Sequence, residues 1–176
     1  MLKKLSVTSF ILAATSQLAF ADAAPYLGIS VGILDNTANT ANYRGLNTTV
    51  SAGYGGILAQ NFYLAGEIML TPGQKSLDDN GLKSGAGYGI SVLPGVMVSD
   101  RTLVFARLGF VRTRFNPTGL PEKTVRGDQI GLGMQTELTP NWDLRTEYSY
   151  TSYASLTGIS SPKSDLFSVG VTYKFI

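Results

Sequence analysis

Apolar and polar residues alternate along most of the chain with a period of two, which is the spacing of a β-strand. The last segment shows the pattern most clearly, with large apolar residues on one face and small or polar residues on the other. Its apolar face consists of Phe167, Val169, Val171, Tyr173 and Phe175. Turn residues interrupt the alternation repeatedly. The pattern predicts eight strands, at residues 26–33, 46–54, 62–70, 86–92, 103–115, 130–138, 142–150 and 166–175.

The polar face of these strands is rich in Gly and Ser and carries only isolated charges, unlike the face that a soluble sheet turns to water. Small side chains fit the interior of a narrow closed barrel, where facing side chains compete for space. Aromatic residues concentrate near strand ends, as interfacial girdles require. The sequence therefore predicts an all-β, eight-stranded antiparallel transmembrane up-and-down β-barrel. A soluble lipocalin-like or sandwich fold is the alternative.

The predicted connections alternate in length. Long polar links are expected at residues 35–45, 71–84, 116–125 and 152–164, and short links at 55–61, 99–102 and 139–141. Long extracellular loops that alternate with short periplasmic turns are typical of an outer-membrane barrel. An even number of strands then places both ends of the barrel on the periplasmic side.

The first 21 residues have the organisation of a secretory signal peptide. Lys3 and Lys4 precede a run of residues without charge that ends in Ala19, Phe20 and Ala21, which matches a basic start, an apolar centre and a small-residue cleavage site. We expect cleavage after residue 21, which leaves residues 22–176 as one barrel domain. Removing two of the 14 basic residues leaves 12 against 12 acidic residues. A neutral mature chain gives no electrostatic reason to expect binding to nucleic acid.

Composition also limits the chemistry that the chain can perform. There is no His and no Cys, which excludes a Ser-His-Asp triad, an imidazole general base and the usual zinc sites. We therefore expect no enzymatic activity, no cofactor and no metal site.

Several charged residues occupy the alternate positions of a strand that point to the inward, small-residue face. This odd or even position along a strand is called parity below. Glu67, Arg107, Arg145 and Glu147 each lie about three to five residues from a short turn, so at ~3.3 Å per residue they should occupy one layer of the lumen. Gln135 and Glu137 could join this layer from the sixth strand. Arg and Glu side chains at this level can neutralise each other through bidentate pairs. The sequence predicts a buried ionic plug, with a gate or narrow ion path as the alternative.

Short segments of the chain resemble the small outer-membrane barrels of the OmpA/OmpX type. The resemblance lies in residues 65–67 (Ala-Gly-Glu), 104–109 (Val-Phe-Ala-Arg-Leu-Gly), 144–148 (Leu-Arg-Thr-Glu-Tyr) and 171–175 (Val-Thr-Tyr-Lys-Phe). The last segment is similar to the C-terminal signal that the barrel-insertion machinery reads, here Val171, Tyr173 and Phe175. Two positions depart from the family pattern: Ile176 follows Phe175, and Leu93 is apolar where the family has a luminal Lys.

The resemblance implies a location in the bacterial outer membrane, with outer-membrane lipid and the insertion machinery as partners. It also implies a structural or surface-contact role, in which extracellular loops meet a host or other surface ligand. Two alternatives stay open. One is a small gated channel or porin-like pore, and the other is a soluble periplasmic ligand-binding β-barrel with apolar residues inside.

Three arginines have outward parity near the outer rim of the barrel. Arg112 and Arg114 lie at the end of the fifth predicted strand, and Arg126 lies near the start of the sixth. Because guanidinium groups bind phosphate bidentately, these residues predict contact with lipopolysaccharide phosphates. The alternative is ordinary solvation at the membrane interface.

Overall fold

The computed structural model describes residues 21–38, 41–76, 83–116, 123–154 and 162–176. The predicted signal peptide falls, except for Ala21, outside these residues, so its cleavage stays a prediction. In chain order the strands are β1 (Ala21–Ala38), β2 (Ala41–Ala59), β3 (Phe62–Thr71), β4 (Gln74–Ser76), β5 (Lys83–Ser99), β6 (Thr102–Asn116), β7 (Lys123–Thr139), β8 (Trp142–Tyr153) and β9 (Lys163–Lys174). Within the described ranges there is no helix of the length and apolar character needed to cross a bilayer.

The sheet closes on itself into a barrel. Each long strand is antiparallel to its neighbour in the chain, and β1 pairs with both β9 and β2. The short strand β4 is a continuation of β3. Both strands pair with β2, one after the other along its length. The two pieces are separated at Pro72 and Gly73, where Gly73 has a φ of 132° that residues with a side chain rarely adopt. The wall therefore has eight strands, one of them interrupted, which confirms the predicted antiparallel barrel.

The two faces of the wall follow the predicted alternation. Large apolar side chains point outward along the eight long strands, with Ile90 60% and Leu132 66% exposed. Glycines and buried hydroxyl-bearing residues such as Ser91, Ser149 and Thr151 point inward. The alternative of a soluble barrel with apolar residues inside is wrong, because an outward apolar band is favourable only against hydrocarbon.

Several strands extend beyond the alternating segments that predicted them. The expected long link at residues 35–45 is wrong in its bounds, since Asp35 pairs with Arg44 and Ala38 pairs with Ala41. The Arg44 guanidinium also donates to the Asp35 carboxylate at 2.9 Å. Hydrogen bonds between strands do not depend on which residues are apolar. The ladder can therefore continue past the apolar band, where the alternation that marks a strand is lost.

The opposite end of the barrel has short turns, as predicted. Residue pairs 60–61, 100–101 and 140–141 form these turns, and the first link is shorter than expected because β2 continues to Ala59. Asn141 Nδ2 donates to the carbonyl oxygen of Lys174 at 3.0 Å, which ties one turn to β9. This short-turn end is the end predicted to face the periplasm, and it is called the periplasmic end below.

Candidate functional site

A buried carboxylate joins two arginines in the middle of the lumen. Glu67 Oε1 accepts from Arg107 Nη2 at 2.7 Å, and Glu67 Oε2 accepts from Arg145 Nη1 at 2.6 Å. The hydroxyl of Tyr26 also donates to Glu67 Oε2, at 2.9 Å. Glu67 is only 2% exposed. Both of its oxygens are thus engaged by charged or hydroxyl donors, as a buried carboxylate requires.

Arg107 is held from both sides. Its Nε and Nη2 donate to the two oxygens of Glu147, the second at 2.9 Å, in a bidentate pair. Its Nη1 donates to Ser91 Oγ at 3.2 Å. Glu67, Arg107, Arg145 and Glu147 are called the ionic cluster below, and their formal charges sum to zero. The structure brings together the four residues that parity placed in one layer.

Each residue of the ionic cluster lies opposite a glycine on a neighbouring strand. The register pairs Glu67 with Gly53, Arg107 with Gly131, Arg145 with Gly170 and Glu147 with Gly133. A glycine partner leaves the space that a long charged side chain needs to cross the narrow interior. The inward glycines therefore leave the space that the inward charged side chains occupy.

A second polar group extends from the cluster toward the periplasmic end. Arg145 Nε donates to Gln135 Oε1 at 2.9 Å, and Gln135 Nε2 donates to Asp143 Oδ2 at 2.6 Å. Lys174 Nζ then lies 3.2 Å from Asp143 Oδ1 and 3.5 Å from an oxygen of Glu137. Gln135 thus contacts the ionic cluster, whereas Glu137 lies apart from it at the mouth of the barrel.

Sequence reasoning missed three members of this network. Tyr26, Asp143 and Lys174 all have inward parity, so the same alternation that identified Glu67 could have identified them. Their side chains enter the network through contacts between strands distant in the chain, such as the 41-residue separation of Tyr26 and Glu67. Parity alone does not predict which inward residues meet.

An apolar layer lies on the periplasmic side of the ionic cluster. Leu93 is 0% exposed and Phe105 is 1% exposed, and Leu103, Ala65 and the ring of Tyr26 complete the layer. These five residues are called the apolar plug below. The guanidinium carbon of Arg145 lies 5.1 Å from the ring centroid of Phe105 and 5.4 Å from that of Tyr26. The expectation of an interior rich in Gly and Ser is therefore incomplete, since β5 and β6 also turn large apolar side chains inward.

Cavities lie on both sides of these two layers. Two polar chambers of about 50 Å³ each lie inside the barrel, on the side of the ionic cluster away from the periplasmic end. The first chamber reaches Glu67, Arg107 and Glu147. A vestibule of about 270 Å³ opens at the periplasmic end, and its lining includes Tyr26 and Leu103 of the apolar plug. Among the described residues, the lumen is thus divided by the cluster and the plug. The described part of the chain also contains no group of three or more His, Cys, Asp or Glu residues placed to hold a metal ion.

The three outward arginines lie on neighbouring strands. Arg112 and Arg126 are direct register partners on β6 and β7, and Arg114 pairs with Thr124. Arg112 Nη1 donates to Tyr88 Oη at 3.4 Å, and the guanidinium of Arg126 lies 4.7 Å from the ring centroid of Phe110. Two outer-surface grooves of about 490 and 510 Å³ run beside Arg112, between apolar side chains of β3, β5 and β6.

The C-terminal strand carries an aromatic group at the periplasmic end. The Tyr173 ring packs edge-on against Trp142 and against Phe175, with centroids 5.0 Å apart in both pairs. Val171 precedes them on the same face, and β9 ends at Lys174. This arrangement fits an aromatic girdle at a membrane interface.

Comparisons with known proteins agree with this architecture. The family described as "Outer membrane protein beta-barrel domain" matches residues 5–175. The structure is similar to Neisserial surface protein A, with a TM-score of 0.64 at 20% identity, over 88% of this chain and 100% of that chain. It is also similar to Ail, the attachment invasion locus protein of Yersinia pestis, with a TM-score of 0.60 at 14% identity and the same coverage. Ail in complex with the heparin analogue sucrose octasulfate gives a TM-score of 0.58 at 15% identity, over 88% of this chain and 100% of that chain. No curated protein matches the sequence.

Proposed function

The chain belongs to the outer membrane protein beta-barrel domain family, and from that premise we propose that it acts through contacts made outside the barrel rather than through its lumen. The barrel would then serve as an anchor that holds extracellular loops and an outer rim at the cell surface. This is a structural or surface-contact role without catalysis.

The occupied lumen is the observation that carries this proposal. The ionic cluster and the apolar plug fill consecutive layers of an eight-stranded barrel, whose interior is only wide enough for its own side chains. A pore would require both layers to move, so the alternative of a gated channel is not favoured. The family and the outward apolar band place the chain in the outer membrane. The surfaces that remain for function are therefore the lipid face, the rim and the loops.

The loops supply the contacts in this proposal. The described strands β4, β6 and β8 end on the side opposite the short turns, and the links that follow them, at residues 77–82, 117–122 and 155–161, lie outside the described residues. Ail, the attachment invasion locus protein, has a similar fold and forms a complex with the heparin analogue sucrose octasulfate. By analogy of fold, we expect this chain to meet a host or other surface ligand through its loops.

A topology experiment tests the orientation on which the proposal depends. An epitope tag between Gly158 and Ile159 should be bound by antibody on intact cells, because the flanking strand ends, Tyr153 of β8 and Lys163 of β9, lie at the end expected to be extracellular. The same tag after Asp22 should be bound only after the outer membrane is permeabilised. Heat-modifiable migration on a detergent gel verifies folding of both proteins. Antibody binding to the Asp22 tag on intact cells would show that the orientation is reversed.

The proposal also includes how the chain reaches the outer membrane, by export and then by assembly of the barrel. Residues 1–21 would direct secretion and be removed, and the insertion machinery would read Val171, Tyr173 and Phe175. The packing of Tyr173 between two other rings supports a role for this face at the periplasmic interface.

The outer rim supports lipopolysaccharide as a partner. Like charges directly opposite on neighbouring strands destabilise a sheet, and Arg112 and Arg126 occupy such positions. Among the described residues neither has a carboxylate partner. Their recorded contacts are the Tyr88 hydroxyl and the Phe110 ring. A phosphate between the two guanidinium groups would remove the repulsion and form charge-assisted hydrogen bonds.

Replacing Arg112, Arg114 and Arg126 together by Gln should weaken the stabilisation that lipopolysaccharide confers. We expect the rise in melting temperature on adding lipopolysaccharide to a neutral detergent to fall by at least half. The variant should still fold without lipopolysaccharide, because the substitutions remove the repulsion between Arg112 and Arg126. The matched control is Arg101→Gln, an exposed arginine in a periplasmic turn. Equal stabilisation of the triple variant and the wild type would eliminate the rim as a lipopolysaccharide site.

A further inference from the structure

We infer that the apolar plug, and not the ionic cluster, is the layer that seals this barrel against water and ions. The inference goes beyond the proposed surface role, because it assigns a barrier function to Leu93, Leu103 and Phe105. It rests on where polar cavities meet each of the two layers.

The vestibule brings water to the plug from the periplasmic side. Its rim carries the exposed turn residues Asp100 and Arg101, together with Glu137 and Lys174, which are partly exposed. A cavity of about 270 Å³ with charged groups at its mouth has both the volume and the hydrogen-bonding partners that water needs. Its lining includes Tyr26 and Leu103, which belong to the plug, and also the polar residues Gln135 and Asp143.

The polar chambers bring water to the ionic cluster from the other side. Both chambers are lined by Gln129 and by hydroxyl side chains such as Thr49. Gln129 Oε1 is buried and accepts no hydrogen bond within the described protein, so a water molecule in a chamber would satisfy it. The chamber that reaches Glu67 and Arg107 therefore makes the cluster a hydrated layer.

Hydrated charges and dry apolar side chains form different kinds of barrier. Glu67 already shares its two oxygens between two arginines, so water can replace one partner at a time. An apolar constriction excludes water altogether and stops ions by dewetting. The Phe105 and Tyr26 rings pack directly against the barrel wall, because a Cβ atom on Gly133 would overlap the Phe105 ring and one on Gly53 would overlap the Tyr26 ring. Water thus reaches the ionic cluster from one side and the plug from the other, and of the two layers the plug is the apolar one.

Planar-bilayer recording of three purified variants tests the inference. The plug variant is Leu93→Ala with Phe105→Ala, and we expect it to give stepwise ion conductance where the wild type is silent. The cluster variant is Arg107→Gln with Glu147→Gln, which conserves net charge and leaves the plug intact, and we expect silence. The matched control, Leu132→Ala with Phe167→Ala, removes equivalent side chains from the lipid face and should also be silent. Conductance from the cluster variant, or silence from the plug variant, would overturn the inference.

Thiol labelling gives a second measurement that does not depend on conductance. The chain has no Cys, so a single introduced Cys is the only thiol. In folded protein, a charged water-soluble thiol reagent should label Met97→Cys in the vestibule rapidly. With the protein inserted in one orientation into lipid vesicles and the reagent present only on the periplasmic side, Ser149→Cys, which lines a polar chamber, should be labelled at least tenfold faster in the plug variant than in the wild-type background. Equal labelling of Ser149→Cys in the two backgrounds would show that the plug is not the seal. Heat-modifiable migration confirms that each protein is folded.

Discussion

Replacement of Glu67 by Ala should lower the free energy of unfolding by about 3–5 kcal/mol, the range for breaking a buried ion pair by removing one partner. Glu67 accepts from Arg107 and Arg145, so its loss leaves two guanidinium groups without their shared carboxylate. Arg107 keeps its bidentate contact with Glu147, whereas Arg145 keeps, among the described residues, a hydrogen bond to the neutral Gln135 and its contacts with the Phe105 and Tyr26 rings. Urea titration of the folded barrel in lipid vesicles, followed by the gel-mobility shift, measures the effect.

Glu137→Ala is the matched control for this experiment. Glu137 is an inward glutamate of the same lumen, but its side chain is 35% exposed and lies 3.5 Å from Lys174. Exposed ion pairs contribute about 0–1 kcal/mol, so the control should unfold within that range of the wild type. If Glu67→Ala were no less stable than Glu137→Ala, the ionic cluster would not contribute to the stability of the barrel.

Gly133→Ala should destabilise the barrel by about 1–3 kcal/mol, the usual cost of overpacking a filled interior. A Cβ atom at this position would overlap three carbons of the Phe105 ring. Phe105 is 1% exposed and packs among Leu93, Leu103 and Tyr26, so its ring has no free space to enter. The same urea titration detects the loss.

Two further variants separate this clash from a general effect of losing a glycine. Gly66→Ala is the control, because a Cβ atom there meets nothing within 4 Å, and we expect no loss of stability. Adding Phe105→Leu to Gly133→Ala should recover part of the loss, since a smaller side chain leaves room for the new methyl group. An absence of recovery would contradict the overlap with Phe105 as the cause.

These predictions share one physical basis, the pairing of large inward side chains with glycines on the next strand. The pairing serves both layers of the lumen: Gly131 faces Arg107 in the ionic cluster, and Gly133 faces Phe105 in the plug. In a barrel of eight strands, filling the interior requires such an alternation of size between neighbours. An inward glycine is therefore a packing residue here.

The alternation of residues with period two was enough to predict the barrel. It assigned the outward faces correctly because lipid contact imposes the same apolar requirement on every strand, independent of its neighbours. It also placed Glu67, Arg107, Arg145 and Glu147 at one level, because distance along a strand is set by residue count. These conclusions depend on single strands, so no knowledge of pairing was needed.

What depends on contacts between strands was decided only by the tertiary structure. The register placed Arg112 beside Arg126, extended the pairing of β1 and β2 as far as Ala38 and Ala41, and joined Asp143 and Lys174 to the network. The plug also emerged only there, because Leu93 on β5 and Leu103 and Phe105 on β6 meet through pairing of the two strands and closure of the wall. A two-residue shift in register would keep every side chain on its own face but change every one of these neighbours, and so the sequence of a single strand does not contain them.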